Sequence, residues 1–163
     1  MKMKVNKFFV LLIIISFQSC SYKANNELRL IKQCFESRDI SFDKELETCL
    51  IIPEVGCGGC IDGSIYFLKE NLSHFLKGQN KNMFILTSVN SKKMFLRTLG
   101  ENNLDKYNCI WDNDNKFLIS GNNSIYPLLL YLEEGEIIDA KFQTPYSRSD
   151  YFVEFEKKIK NEI

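Results

Sequence analysis

The sequence predicts one α/β domain built on a mixed central sheet. Short apolar runs with strand character alternate with segments whose apolar residues recur at helical spacing. Near the C-terminus, two apolar runs separated by a glycine-containing turn read as an antiparallel hairpin. Alternating strands and helices call for a sheet covered on both faces, and the hairpin adds antiparallel neighbours to it. A chain of 163 residues is long enough for one good core and too short for two sizeable domains.

Residues 1–19 read as an export signal rather than as part of the fold. Lys2, Lys4 and Lys7 form a positive start, "FFVLLIII" (residues 8–15) an apolar stretch too short to span a bilayer, and "SFQSC" follows. Ser19 immediately before Cys20 resembles the cleavage box of bacterial lipoproteins, which implies that Cys20 becomes the lipid-bearing N-terminus. Residues 20–26 then form a short tether, and 27–163 the folded domain. The expected location is the cell envelope, as a periplasm-facing lipoprotein of the inner or outer membrane. Losing the signal removes three lysines and leaves 18 basic against 21 acidic residues, without a basic patch, so no nucleic-acid partner is expected.

Along the mature chain, "ELRLIKQCF" puts Leu28, Ile31 and Phe35 on one helical face, with Asn25 or Asn26 as cap. "LETCLIIP", ended by Pro53, has the continuous apolar character of a buried strand. From Gly58 onward Ile61, Ile65, Leu68, Leu72 and Phe75 recur at helical spacing until "KGQN". "NMFILTSV" is the next strand, and "SKKMFLRTLGENNL" a helix with Ser91 as its cap. "YNCIW" is a third strand, "DNDN" a turn, and "KFLISGNNS" is compatible with either strand or helix. "YPLLLYL", the turn "EEGE" and "IIDAKF" make the hairpin, and "SDYFVEFEKKIKNEI" closes the chain with a helix burying Phe152, Phe155 and Ile159.

The chemistry concentrates in "IIPEVGCGGCIDG", where Cys57 and Cys60 are separated only by Gly58 and Gly59. At the passage from strand to helix, the Cys57 sulfur lies over free N–H groups near Gly59 and Cys60, and these with the helix dipole favour a thiolate. Cys60, one turn on, is close enough to close a small disulfide, which suits one attacking and one resolving sulfur. The glycines bring no side chain to block an approaching substrate. A static disulfide and a metal clamp remain the other readings of the pair. With Cys20 lipidated, Cys34, Cys49 and Cys109 are left over; Cys34 and Cys49 are either a bridge between the first helix and first strand or small buried residues. Cys109 and Trp111 read as core.

Strand, "CGGC", helix and, much later, "IYPLLLYLEEGEII" together resemble the thioredoxin superfamily, over roughly residues 40–161. The long interval from Cys60 to Pro127 and the turn in "CIWDNDNKFL" are similar to its membrane-anchored, extracytoplasmic TlpA-like branch. The resemblance implies a three-layer thioredoxin-like fold, and a Pro127 held in the cis form opposite the redox pair, with Gly135 in the hairpin turn. It implies that Tyr126 faces the sulfurs, and that the backbone there receives an extended substrate segment as an added strand. Three positions depart from the family pattern. Gly56 stands where a tryptophan is common, Ile51 where thioredoxins carry a buried aspartate, and the dipeptide between the cysteines lacks proline and histidine. Glu54 is the nearest acid in sequence, and reads as a solvated loop residue rather than a substitute proton acceptor.

The expected function is therefore a periplasmic, lipid-anchored thiol–disulfide oxidoreductase, working in the reductive direction that the resemblance suggests. Cys57 attacks and Cys60 resolves; Tyr126, Pro127, Gly58 and Gly59 shape the substrate groove. No dissociable cofactor is needed beyond the cysteine pair. The expected partners are a protein thiol or disulfide and a membrane redox partner exchanging electrons with it. A redox-inactive binding or assembly lipoprotein of the same fold is the second reading. Structural zinc needs four ligands and no second C-x-x-C exists. A copper-binding chaperone is a third reading: copper-carrying relatives of the thioredoxin superfamily add a distant histidine to their paired cysteines, but His74, the one histidine here, lies about four turns along the helix, too far to reach the sulfurs. A peroxidase of the peroxiredoxin type needs Thr or Ser where Glu54 stands.

Overall fold

The structure, a computed structural model, describes residues 26–78, 81–119, 125–146 and 150–160. The signal segment, Cys20 and the tether as far as Asn25 lie outside the described residues, as does the "SGNNS" part of the ambiguous stretch. Helix α1 covers residues 26–36, so Asn26 lies within the helix and is not its cap. Strand β1 (Thr48–Pro53) follows, then α2 (Gly58–Asn71), β2 (Asn82–Thr87), α3 (Lys92–Leu99), β3 (Cys109–Asp112), β4 (Leu128–Glu133), β5 (Glu136–Phe142) and α4 (Asp150–Ile159).

The five strands form one mixed sheet in the order β3-β2-β1-β4-β5. β1 pairs parallel with β2, and β2 with β3, while β4 runs antiparallel to both β1 and β5. All six residues of β1 are buried, because this strand is central and covered on both faces; that is why "TCLIIP" reads as an unbroken run. Leu50, Ile52, Phe84, Leu86, Leu129 and Tyr131 meet α2, α3 and α4 on one face. Cys49, Ile51, Ile85, Leu128, Leu130 and Leu132 meet Ile31 and Phe35 of α1 on the other. Helices thus cover both faces of the sheet, in a three-layer α/β fold consistent with the thioredoxin-like arrangement expected from sequence.

Local chemistry explains the boundaries. The Ser91 hydroxyl accepts the Met94 N–H at 3.3 Å and caps α3 as expected. In the β4–β5 hairpin, Glu134 (φ 51°) and Gly135 (φ 84°) form a two-residue loop between the paired Glu133 and Glu136; positive φ at both central positions is what a type I′ turn needs. The periodicity from Gly58 to Phe75 is one α-helix only as far as Asn71; Leu72–Phe75 tighten into a 3-10 turn. Residues 116–119 are neither strand nor helix. They form a strap whose N–H groups at Lys116 and Phe117 donate to the Asp112 carboxylate (2.9 and 2.8 Å). Arg38 holds the strap from the other side, donating to the carbonyls of Lys116 and Leu118 at 2.6 Å each. Phe117 packs among Phe35 and Phe42 in the layer on the α1 side of the sheet.

In α4, Phe155 and Ile159 are buried as expected. Phe152 is only half-buried and stacks on Phe67 of α2, with centroids 4.8 Å apart.

Candidate functional site

β1 leaves the sheet towards β2 on one side through α2, while its other neighbour, β4, arrives from much later in the chain. The C-terminal end of β1 is therefore the place where connections diverge, the position at which open α/β sheets form crevices. Cys57 sits there as the N-cap of α2, in an extended conformation (φ −70°, ψ 96°), and its carbonyl accepts the Ile61 N–H at 2.9 Å. Cys57 and Cys60 are joined in a disulfide with their Cα atoms 5.3 Å apart. Cys57 is half-buried and Cys60 buried, so the first residue of the pair is the one that solvent reaches. Gly58 and Gly59 are exposed, and a Cβ on either would meet nothing within 4 Å. The surface at these two glycines is therefore unobstructed.

The opposite wall comes from the segment entering β4. The Ile125 carbonyl accepts the Cys57 N–H at 3.0 Å, and the Pro127 carbonyl accepts the Gln143 N–H at 2.8 Å. Pro127 is buried just before β4, so the structure brings it to the same end of the sheet as the cysteine pair. Its peptide bond is trans, as no cis bond occurs among the described residues; the expected cis-proline is corrected accordingly. The physical reason is that an X–Pro bond favours trans by only about 0.5–1 kcal/mol, so tertiary contacts and not the Tyr-Pro dipeptide choose the isomer. Tyr126 packs against the layer on the α1 side, lining a small cavity with Pro53, Phe117, Ile119, Leu128 and Phe142. Contact with Cys57 is made by main-chain atoms of Ile125, a residue that the sequence reading did not single out.

The remaining candidates fall elsewhere. Ile51 projects into the α1-side layer, whereas Leu50 and Ile52 face α2. The Glu54 carboxylate accepts the Asn90 N–H, tying the end of β1 to the loop before α3, and its own N–H donates to the Thr87 carbonyl at 3.0 Å. It is a clasp between two loops. His74 lies in the 3-10 turn beyond α2, about 20 Å along the axis from the cysteines. Among the described residues no group of three or more His, Cys, Asp or Glu could hold a metal ion.

Cys34, Cys49 and Cys109 carry free thiols, so Cys34 and Cys49 form no bridge. Burial pushes the Cys49 thiol far above its ordinary range, and pushes Cys109 up to about 12 against the opposing charges of Lys77 and Lys92. Since the thiolate is the species that alkylates, Cys109 in the folded protein is expected to react slowly at pH 8, about tenfold faster with each pH unit towards 12. Mass mapping after brief iodoacetamide treatment checks this; labelling at the rate of a free peptide thiol at pH 8 would contradict the burial assigned to it.

The class defined by fold and site is thus an α/β domain bearing a C-x-x-C disulfide at a helix N-terminus. No family model and no curated protein matches the chain.

Proposed function

We propose that this protein is a thiol–disulfide oxidoreductase of the thioredoxin superfamily, similar to the TlpA-like extracytoplasmic branch and anchored by lipid at Cys20. One observation carries the reading: the Cys57–Cys60 disulfide sits at the N-terminus of α2 with its first cysteine half-exposed, its second buried and open space over Gly58 and Gly59. That arrangement supports sequential attack. In the reductive direction, the Cys57 thiolate attacks one sulfur of a substrate disulfide, forming a mixed disulfide and releasing the first substrate thiolate, which takes up a proton. The Cys60 thiol loses its proton and attacks the Cys57 sulfur, releasing the second substrate thiolate. Two electrons have passed to the substrate, and the Cys57–Cys60 disulfide is restored. A dithiol donor, on this reading a membrane partner, then reduces it by the same steps in reverse. Gly58, Gly59, Pro127 and Tyr126 border the approach, and no dissociable cofactor enters.

Two features favour the second reading, a binding or assembly module that keeps the fold without turnover. Ile51 replaces the internal acid and faces the other layer, and Glu54 is engaged by Asn90. Turnover separates the two. The dithiothreitol-charged domain is expected to reduce insulin disulfides catalytically, with precipitation of the B chain as readout. A rate no greater than that of dithiothreitol alone would give the case to the binding module.

A further inference from the structure

Gly56, directly before the redox pair, has φ +150°, a conformation that residues with a Cβ rarely adopt. Its bare Cα faces the main chain of Ile125. A Cβ built there would stand 2.3 Å from the Ile125 carbonyl oxygen, 2.7 Å from its Cα and 2.8 Å from its carbonyl carbon. These are backbone atoms, so no change of rotamer relieves the clash. The same carbonyl accepts the Cys57 N–H at 3.0 Å. Close approach and hydrogen bond are therefore one arrangement, and it depends on glycine at position 56.

That arrangement bears on the sulfur. Free N–H groups and the helix dipole at the start of α2 favour a thiolate at Cys57. The Ile125 carbonyl opposes them in two ways. It occupies the Cys57 N–H, and it fixes the negative end of a peptide dipole against the main chain of the residue that carries the sulfur. Building on the exchange function proposed above, we propose that Gly56 is a positioning residue that sets the redox poise of the Cys57–Cys60 pair by seating the Ile125 carbonyl against Cys57. In the equilibrium with glutathione, two glutathione thiols reduce the protein disulfide and leave one glutathione disulfide, with two electrons transferred. Only the reduced side carries a thiolate, so a carbonyl that disfavours the thiolate shifts the equilibrium towards the disulfide and makes the pair more reducing. A partial charge so placed, in an intermediate dielectric, is worth about a factor of ten.

The test is a titration of wild type, Gly56→Ala and Gly63→Ala in glutathione buffers, with alkylation and mass mapping of Cys57 and Cys60. Gly63 is a suitable control because it is exposed on α2 and a Cβ there meets nothing within 4 Å. Gly56→Ala displaces the carbonyl, and its equilibrium is expected to move about tenfold towards the dithiol, which corresponds to about 30 mV for two electrons. Its Cys57 is expected to alkylate half-maximally about one pH unit lower, while Gly63→Ala follows wild type. A folded Gly56→Ala protein that titrates and alkylates like wild type overturns the inference and leaves the exchange function standing. A wild-type pair that never equilibrates with glutathione overturns both. Should Gly56→Ala fail to fold, amide exchange in wild type decides: the Cys57 N–H is expected to be protected in both redox states, and a freely exchanging amide overturns the proposal.

Discussion

Cys57→Ser is expected to abolish disulfide exchange, and Cys60→Ser to convert turnover into trapping. Serine keeps the size of the side chain but provides no thiolate, so the first attack on a substrate disulfide has no nucleophile. The expected loss is the whole of the catalysed rate, down to the background of the reductant. Cys60→Ser leaves the first attack intact and removes the sulfur that resolves it. A covalent mixed disulfide between Cys57 and the substrate is therefore expected to accumulate, visible as a reductant-sensitive shift on a non-reducing gel. The asymmetry follows from burial: Cys57 is half-exposed at the N-cap of α2, whereas Cys60 lies beneath it. Full exchange activity in Cys57→Ser would sink the mechanism outright. Trapping through Cys60 in a Cys57→Ser protein would reverse the assigned roles.

The second large effect concerns stability, at a polar side chain at the other end of the sheet. Asn82 opens β2 and is almost completely buried. Its Oδ1 accepts the Thr48 hydroxyl at 2.8 Å, and its Nδ2 donates to the carbonyls of His74 (3.0 Å) and Ile159 (3.3 Å). Asn108 donates from its Nδ2 to the Asn82 carbonyl at 3.0 Å. One amide thus joins β1, β2, the 3-10 turn and the C-terminal end of α4. Asn82→Leu would leave a fully buried hydroxyl and two carbonyls without their partner, at roughly 1–3 kcal/mol for each group that stays dry. With some relief from water, the expected cost is about 3–4 kcal/mol, a large part of the 5–15 kcal/mol typical of a domain. Urea unfolding checks it: the midpoint should fall with an unchanged slope. Thr48→Val in the same background should recover part of the loss, because it removes one of the orphaned groups. A cost below about 1 kcal/mol would show that the network carries little of the stability.

How much of this was legible beforehand depended on whether the deciding contacts were local. The β1 run, the Ser91 cap and the Glu134–Gly135 turn are each fixed within a few residues, and each stands where the sequence put it. The order of elements predicted a mixed sheet for the same reason. What the sequence hid is long-range. The isomer before Pro127 is chosen by packing. The spacing of Cys34 and Cys49 allowed a bridge that the fold does not make. Gly56 was visible only as a missing tryptophan. Its meaning needs Ile125, nearly seventy residues away, whose main chain rests against it. A bare glycine directly before the first cysteine was the one available signal, and without the partner strand it could not be distinguished from loop flexibility. Tyr126, just before β4, packs against the α1-side layer, a contact made by residues distant in sequence that no local pattern announces.

The most direct measurement of the central claim is the reduction potential of the Cys57–Cys60 pair in the domain spanning residues 21–163, equilibrated in glutathione buffers and read by alkylation and mass mapping. A reversible two-electron titration confined to these two cysteines is predicted, near about −270 mV or lower if the protein is a reductase supplied with electrons, and near about −120 mV if it is an oxidant. A pair that stays disulfide-bonded throughout, or that never titrates reversibly, would contradict an exchange function and leave the disulfide as a structural clasp.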